Sequence, residues 1–151
     1  TAKTMSKTKK SLEPGLIGRL SLQVTEDNTA LRYGSGLVPV FATPAMIGLM
    51  EGAAAAGVED ALEEGTTTVG SRIDTSHLAA TPVGMTVRAE AELTKVEGRR
   101  LFFAVKAWDD CELIGQGSHE RWIVKKEKFV EKALAKAGGK PGGETGTDIL
   151  K

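Results

Sequence analysis

Residues Met46–Gly57 read MIGLMEGAAAAG. Every side chain in that stretch is small or apolar except the carboxylate of Glu51. The two residues that open the segment are Thr43 and Pro44. A Thr hydroxyl can cap the free N–H groups of a helix, and Pro fits the first helical position. From there to about Gly57 the length is helical, with no polar face. The pattern predicts one helix, buried on most sides. A carboxylate buried without partners costs several kcal/mol or takes up a proton, its pKa rising by as much as ~3–5 units. Glu51 therefore lies at a wet edge or on a backbone partner, or it faces a cleft as a general base or nucleophile.

Outside the helix the hydrophobic period is mostly two. RLSLQV sets Leu20, Leu22 and Val24 on one face and Arg19, Ser21 and Gln23 on the other. MTVRAEAELTKV does the same, with Val87, Ala89, Ala91 and Leu93 opposite Arg88, Glu90 and Glu92. EGRR turns the chain into LFFAVKAW, and DDCE turns it again into LIGQGSHERWIVKK. TTTVGSRIDTSHL adds a strand, and TPVG ends the connection after it. Strands joined by tight turns predict an antiparallel meander. KKEKFVEKALAK extends the last strand into a short surface helix. A curved sheet of about five strands around one central helix, the hotdog architecture in the α+β class, satisfies this pattern, although periodicity alone allows other α+β arrangements. Such a sheet has an edge, and the expected assembly is a homodimer, with further pairing of dimers left open. The expected division is a flexible N-terminal tail over 1–12, a domain over 13–136 and a Gly-rich disordered tail over 137–151.

Composition narrows the function. Twenty Lys and Arg balance twenty Asp and Glu, so charge gives no case for nucleic acid or an anionic membrane surface. No apolar run reaches transmembrane length, and the basic N-terminal stretch TAKTMSKTKK lacks the apolar segment of a secretory signal. Cys111 is the sole cysteine and excludes an intrachain disulfide. These features lead us to expect a cytoplasmic location.

Further polar residues bear on Glu51. Strand parity puts His77 on the same face as Val69, Ile73 and Thr75, where it is a structural histidine or a functional one. The run DTSH is not a catalytic triad, because Asp74 and Ser76 point to one face and His77 to the other. Thr43 lies eight residues before Glu51, about 12 Å along a regular helix, so the two cannot bond directly. They line two ends of a pocket or meet groups from a second subunit. Gly70 inside a strand marks a bulge or a close approach of another group. Arg121 shares a face with Gly115, Gly117, His119 and Ile123. His77 and His119, without a third ligand, do not predict a metal site. Cys111 sits among Asp109, Asp110 and Glu112, which disfavour its thiolate.

VFATPAMIGLMEGA, TVGSRIDTSHLAATPVGMTVRAEAELTKVEGRRLFFAV and IGQGSHER together resemble the fluoroacetyl-CoA thioesterase-like family of hotdog proteins, over about Phe41 to Phe129. The resemblance implies a homodimer that hydrolyses an acyl-CoA thioester, with CoA as part of the substrate and no separate cofactor. It carries catalytic roles onto Thr43, Glu51 and His77, and substrate-contacting roles onto Gly70 and Arg121. The family's fluorinated-substrate enzyme has two phenylalanines before the helix, as a lid over the acyl group. Here LRYGSGLVPVFATP keeps Phe41, a third candidate for substrate contact, but offers Leu37, Val38 and Val40 in place of an aromatic pair. A small or medium acyl chain, rather than a fluorinated one, is the resulting expectation. Arg99, Arg100, Lys125 and Lys126 are candidates for the CoA phosphates. Two other functions suit the same fold: a binding protein that holds an acyl-CoA without cleaving it, and a hydratase or dehydratase of acyl thioesters.

Overall fold

The computed structural model describes residues 10–138. Five strands form one antiparallel sheet: β1 (Ile17–Gln23), β2 (Thr66–His77), β3 (Thr86–Glu97), β4 (Arg100–Trp108) and β5 (Leu113–Lys125). Their order across the sheet is β1-β3-β4-β5-β2. The predicted meander is β3-β4-β5, and Gly98 makes its first turn with φ +61°. Among the described residues three α-helices accompany the sheet: α1 (Ala30–Tyr33), α2 (Thr43–Val58) and α3 (Lys126–Ala137). The sheet curls around α2, which is the hotdog arrangement. Met46, Met50 and Ala53 of α2 pack into a core with Val87, Ala89 and Leu93 of β3 and Leu101 and Phe103 of β4.

Small residues let α2 lie close to the sheet. Gly57 backs onto Gly18 of β1, where a Cβ on Gly57 would lie 2.7 Å from the Gly18 nitrogen and 2.9 Å from its Cα. That leaves no room for a side chain on either residue.

The burial of α2 differs from the expectation. One flank is closed by the core, but Pro44, Gly48 and Ala56 are exposed, and Ile47, Glu51, Gly52 and Ala55 only half-buried. These residues recur at the three-to-four spacing of one helix face. The uncovered face is mostly apolar, and Glu51 lies within it.

Strand β2 also departs from simple parity. Its register with β5 shifts between Gly70 and Arg72, which removes Ser71 from the ladder. Gly70 pairs with Arg121, while beyond the bulge Ile73, Thr75 and His77 pair with His119, Gly117 and Gly115. Gly70 therefore shares the helix-facing side with His77. Val69 pairs with Trp122 and lies on the other face, contrary to the unbroken alternation expected of it.

The expected tails, 1–12 and 137–151, fall largely outside the described residues. Within them, Leu12 packs against the core and the Lys10 N–H reaches the Asp60 carbonyl at 3.3 Å.

Candidate functional site

Two clusters of polar side chains lie on the inner side of the sheet. The first stands at the start of α2. Ala42, not Thr43, occupies the N-cap, and no side chain caps the helix. The Thr43 hydroxyl instead lies 2.7 Å from Nδ1 of His77. The capping role that sequence assigns to Thr43 is thus replaced by a bond to an imidazole.

The residues after His77 hold this pair together. The Phe41 N–H donates to the Thr81 carbonyl at 2.8 Å, and Val40 bridges to Pro82. Buried Thr81 donates its hydroxyl to Asp109 at 2.7 Å. The other oxygen of Asp109 accepts the N–H groups of Cys111 and Glu112 at 2.8 and 2.9 Å. So ATP in SHLAATPVG is more than a turn signal: it ties the end of β2 to the start of α2. Sequence reading missed Thr81 and Asp109, whose only signal was a Thr-Pro pair and an acidic turn.

His77 is left with one dissatisfied atom. Its Nε2 is buried and has no hydrogen-bond partner among the described residues. Such a group costs about 1–3 kcal/mol and requires an explanation. Burial also lowers the pKa of His77 from its ordinary value, so the neutral ring is favoured. A cavity of about 360 Å³ opens beside the pair, lined by Thr43, His77, Val38, Val40, Phe41 and Leu78 among others. Phe41 is itself almost wholly buried and belongs to the core as well as to the cavity wall.

The second cluster surrounds Gly70. A Cβ placed there would lie 2.9 Å from Oε2 of Glu51, 3.3 Å from Cε1 of His119 and 3.4 Å from Nη1 of Arg121. The missing side chain keeps this space open. Arg121 is buried, as its parity with His119 implies. It donates from Nε to the Thr68 hydroxyl at 2.8 Å and from Nη2 to the Thr68 carbonyl at 2.9 Å. Burial lowers the pKa of the guanidinium and the Glu51 charge raises it in part. Thr68 and His119 are members of this cluster that sequence reading did not assign.

The two clusters are distinct within one chain. Thr43 and Glu51 are separated by about 12 Å along α2. Gly70 and His77 are separated by roughly 20 Å along β2. The structure brings Thr43 to His77, and Glu51 to Gly70 and Arg121, but it does not bring Glu51 to His77 in one chain. Of the basic candidates for CoA phosphates, Arg100 is engaged on the outer face with Glu120 at 2.7 Å and over the ring of Phe102. Arg99, Lys125 and Lys126 are exposed.

Comparison with known proteins places this geometry among relatives. Residues 24–127 match the family of fluoroacetyl-CoA-specific thioesterases, FlK. The fluoroacetyl-CoA thioesterase of Streptantibioticus cattleyicolor is 47% identical over 97 residues, which is 64% of this chain and 70% of that protein. A solved structure of a FlK variant in complex with acetyl-CoA superposes with a TM-score of 0.79 at 37% identity, covering 83% of this chain and 98% of the other. A thioesterase superfamily member from Thermus thermophilus superposes with a TM-score of 0.77 at 32% identity, covering 86% of this chain and 96% of that one.

Proposed function

The chain belongs to the family of fluoroacetyl-CoA-specific thioesterases, and from that premise we propose that it is a thioester hydrolase that cleaves a small or medium acyl-CoA as a homodimer. The observation that carries the reading is the Thr43–His77 pair, with Nε2 of His77 buried, unpartnered and beside an apolar cavity. An orphaned polar atom of that kind is accounted for by a reacting partner. Relatives that act on fluoroacetyl-CoA or bind acetyl-CoA support acyl-CoA as the substrate class.

The residues divide the chemistry as follows. Glu51 takes a proton from water as it attacks the acyl carbon, or attacks that carbon itself. The Arg121 guanidinium has donors free beside the space at Gly70, where they stabilise negative charge. With its hydrogen on Nδ1 and donated to Thr43, His77 keeps a lone pair on Nε2. In the water route it accepts there the proton that Glu51 took from water and passes it to the departing thiolate of CoA; in the direct route water cleaves the acyl–Glu51 anhydride and supplies that proton. The aliphatic walls from Val38, Val40, Phe41 and Leu78 suit a hydrocarbon acyl group.

A second copy completes the site. Strand β2 is an edge of the sheet with its outer side free, and the open apolar face of α2 lies next to it. Antiparallel pairing of β2 with its copy, about a two-fold axis near Ile73 and Asp74, sets Gly70 opposite the partner's His77. That arrangement joins Glu51 of one subunit to the Thr43–His77 pair of the other.

The test is hydrolysis of a panel of short and medium acyl-CoAs, read by release of free thiol. Thiol release that collapses in Glu51→Gln and His77→Ala supports the reading. Thermal stabilisation by acyl-CoA without cleavage identifies a binding protein instead, and consumption of enoyl- or hydroxyacyl-CoA without thiol identifies a hydratase or dehydratase. Solvent heavy oxygen found in the Glu51 carboxylate after one turnover distinguishes direct attack from activation of water.

A further inference from the structure

We propose that His119 is a positioning residue for this reaction: it locks the guanidinium of Arg121 at the edge of the open space beside Gly70, facing the Glu51 carboxylate. The inference rests on the reading of Glu51 as base or nucleophile.

Both nitrogens of His119 have assigned roles. Nδ1 lies 2.7 Å from the carbonyl of Arg72, the residue at which the ladder resumes after the bulge. A carbonyl only accepts, so Nδ1 carries the hydrogen. Nε2 lies 3.2 Å from Nη1 of Arg121, and a guanidinium only donates. The ring is therefore neutral and of one tautomer. Burial, with the Arg121 charge beside it, holds it in that state by lowering its pKa, against the raising effect of the Arg72 bond and the Glu51 charge.

Arg121 has five N–H groups in one plane. Two go to Thr68 and one to His119. The Thr68 bonds hold one side of the fork, and His119 fixes the other. The two hydrogens left over are on Nη1 and Nη2, and Nη1 borders the space kept open by Gly70. Among the described residues, His119 is thus the contact that sets the tilt of the Nη1 edge toward Glu51.

Besides Glu51 and Arg121, the charge that reaches His119 among the described residues is Glu120, which raises its pKa. Glu51 is the sole titratable residue of α2. The inward residues of β3 and β4 are apolar, including Ala91, Leu93, Leu101 and Phe103. On β2 the inward neighbours are Thr68, Gly70 and Ile73, with His77 at the far end. Glu120 lies on the outer face, held by Arg100. A guanidinium edge held in one place keeps its donors aimed where negative charge develops.

The experiment is steady-state kinetics on an acyl-CoA that the wild type hydrolyses, with kcat and KM read separately. His119→Phe keeps a ring of similar size beside Phe103 but removes both bonds. kcat is expected to fall roughly ten-fold with KM little changed, because the donors of Arg121 no longer face the developing charge. His119→Gln restores an acceptor for Arg121 and returns kcat toward the wild-type value. His119→Asn keeps a donor for Arg72 but loses that acceptor, so it lowers kcat as Phe does, and it decides the matter if the Phe variant does not fold. An unchanged kcat in the Phe or Asn variant, with only a lower Tm, overturns the proposal. If Glu51→Gln abolishes turnover in the same experiment, the catalytic reading survives that failure. If Glu51→Gln turns over normally, both fall.

Discussion

The Thr43 hydroxyl and Nδ1 of His77 are 2.7 Å apart, although 34 positions separate them in the chain. Because Ala42 holds the N-cap position and no side chain caps α2, this hydroxyl makes no contribution to the helix end. Thr43→Ala should therefore spare the usual cost of a lost cap, about 1 kcal/mol, and leave Tm within a few degrees. It should lower kcat by roughly ten- to hundred-fold, since the imidazole loses the partner that holds its orientation. Thr43→Ser keeps the hydroxyl and most of the rate. Steady-state kinetics and thermal melts on the two variants check this.

Gly70→Ala separates room from fold. The added Cβ meets Oε2 of Glu51 at 2.9 Å, and that oxygen is the end of a flexible side chain. The carboxylate moves aside at little cost to stability. Turnover should drop by about a hundred-fold, because displacement of a reacting group by about 1 Å has that effect. Circular dichroism and thiol release on the same preparation distinguish this from unfolding.

The helix-to-sheet contact gives the opposite result. Gly57→Ala places a Cβ 2.7 Å from the Gly18 nitrogen, and backbone cannot yield as a side-chain end does. The variant should lose about 2–3 kcal/mol or more, seen as a lower midpoint in denaturant with an unchanged slope.

Acid should destabilise the protein through its histidines. Burial depresses the pKa of His77, and burial is also the first cause for His119. A depressed folded pKa means that the unfolded chain binds the proton first. The stability these rings contribute is then fully present above the unfolded value of about 6.5 and is lost as pH falls through the folded value. Tm should decline on acidification below about pH 6.5, and His77→Gln should flatten part of that decline.

Much of this was legible in the chain. Alternation in MTVRAEAELTKV and LFFAVKAW gave β3 and β4 with their buried faces, because one side of each is wet. The apolar run around Glu51, opened by Thr43 and Pro44, gave α2 as a helix, but the enclosure expected of it holds on one flank only. Three features were hidden, each for a physical reason. The bulge at Ser71 reverses parity along β2, and a single extra residue leaves no mark on composition. The use of Thr43 by His77 depends on Thr81 and Asp109 drawing two distant ends together. Arg121 could be placed on its face, but its bonds to Thr68 and His119 arise from pairing between strands that the sequence does not announce.

The central claim is that one active site takes Glu51 from one subunit and the Thr43–His77 pair from the other. Differently tagged Glu51→Gln and His77→Ala chains, each inactive alone, test it when hybrid dimers are isolated by both tags. One of the two sites in such a hybrid has every group intact, so the account predicts about half the wild-type rate. Hybrids as inactive as either parent would contradict it.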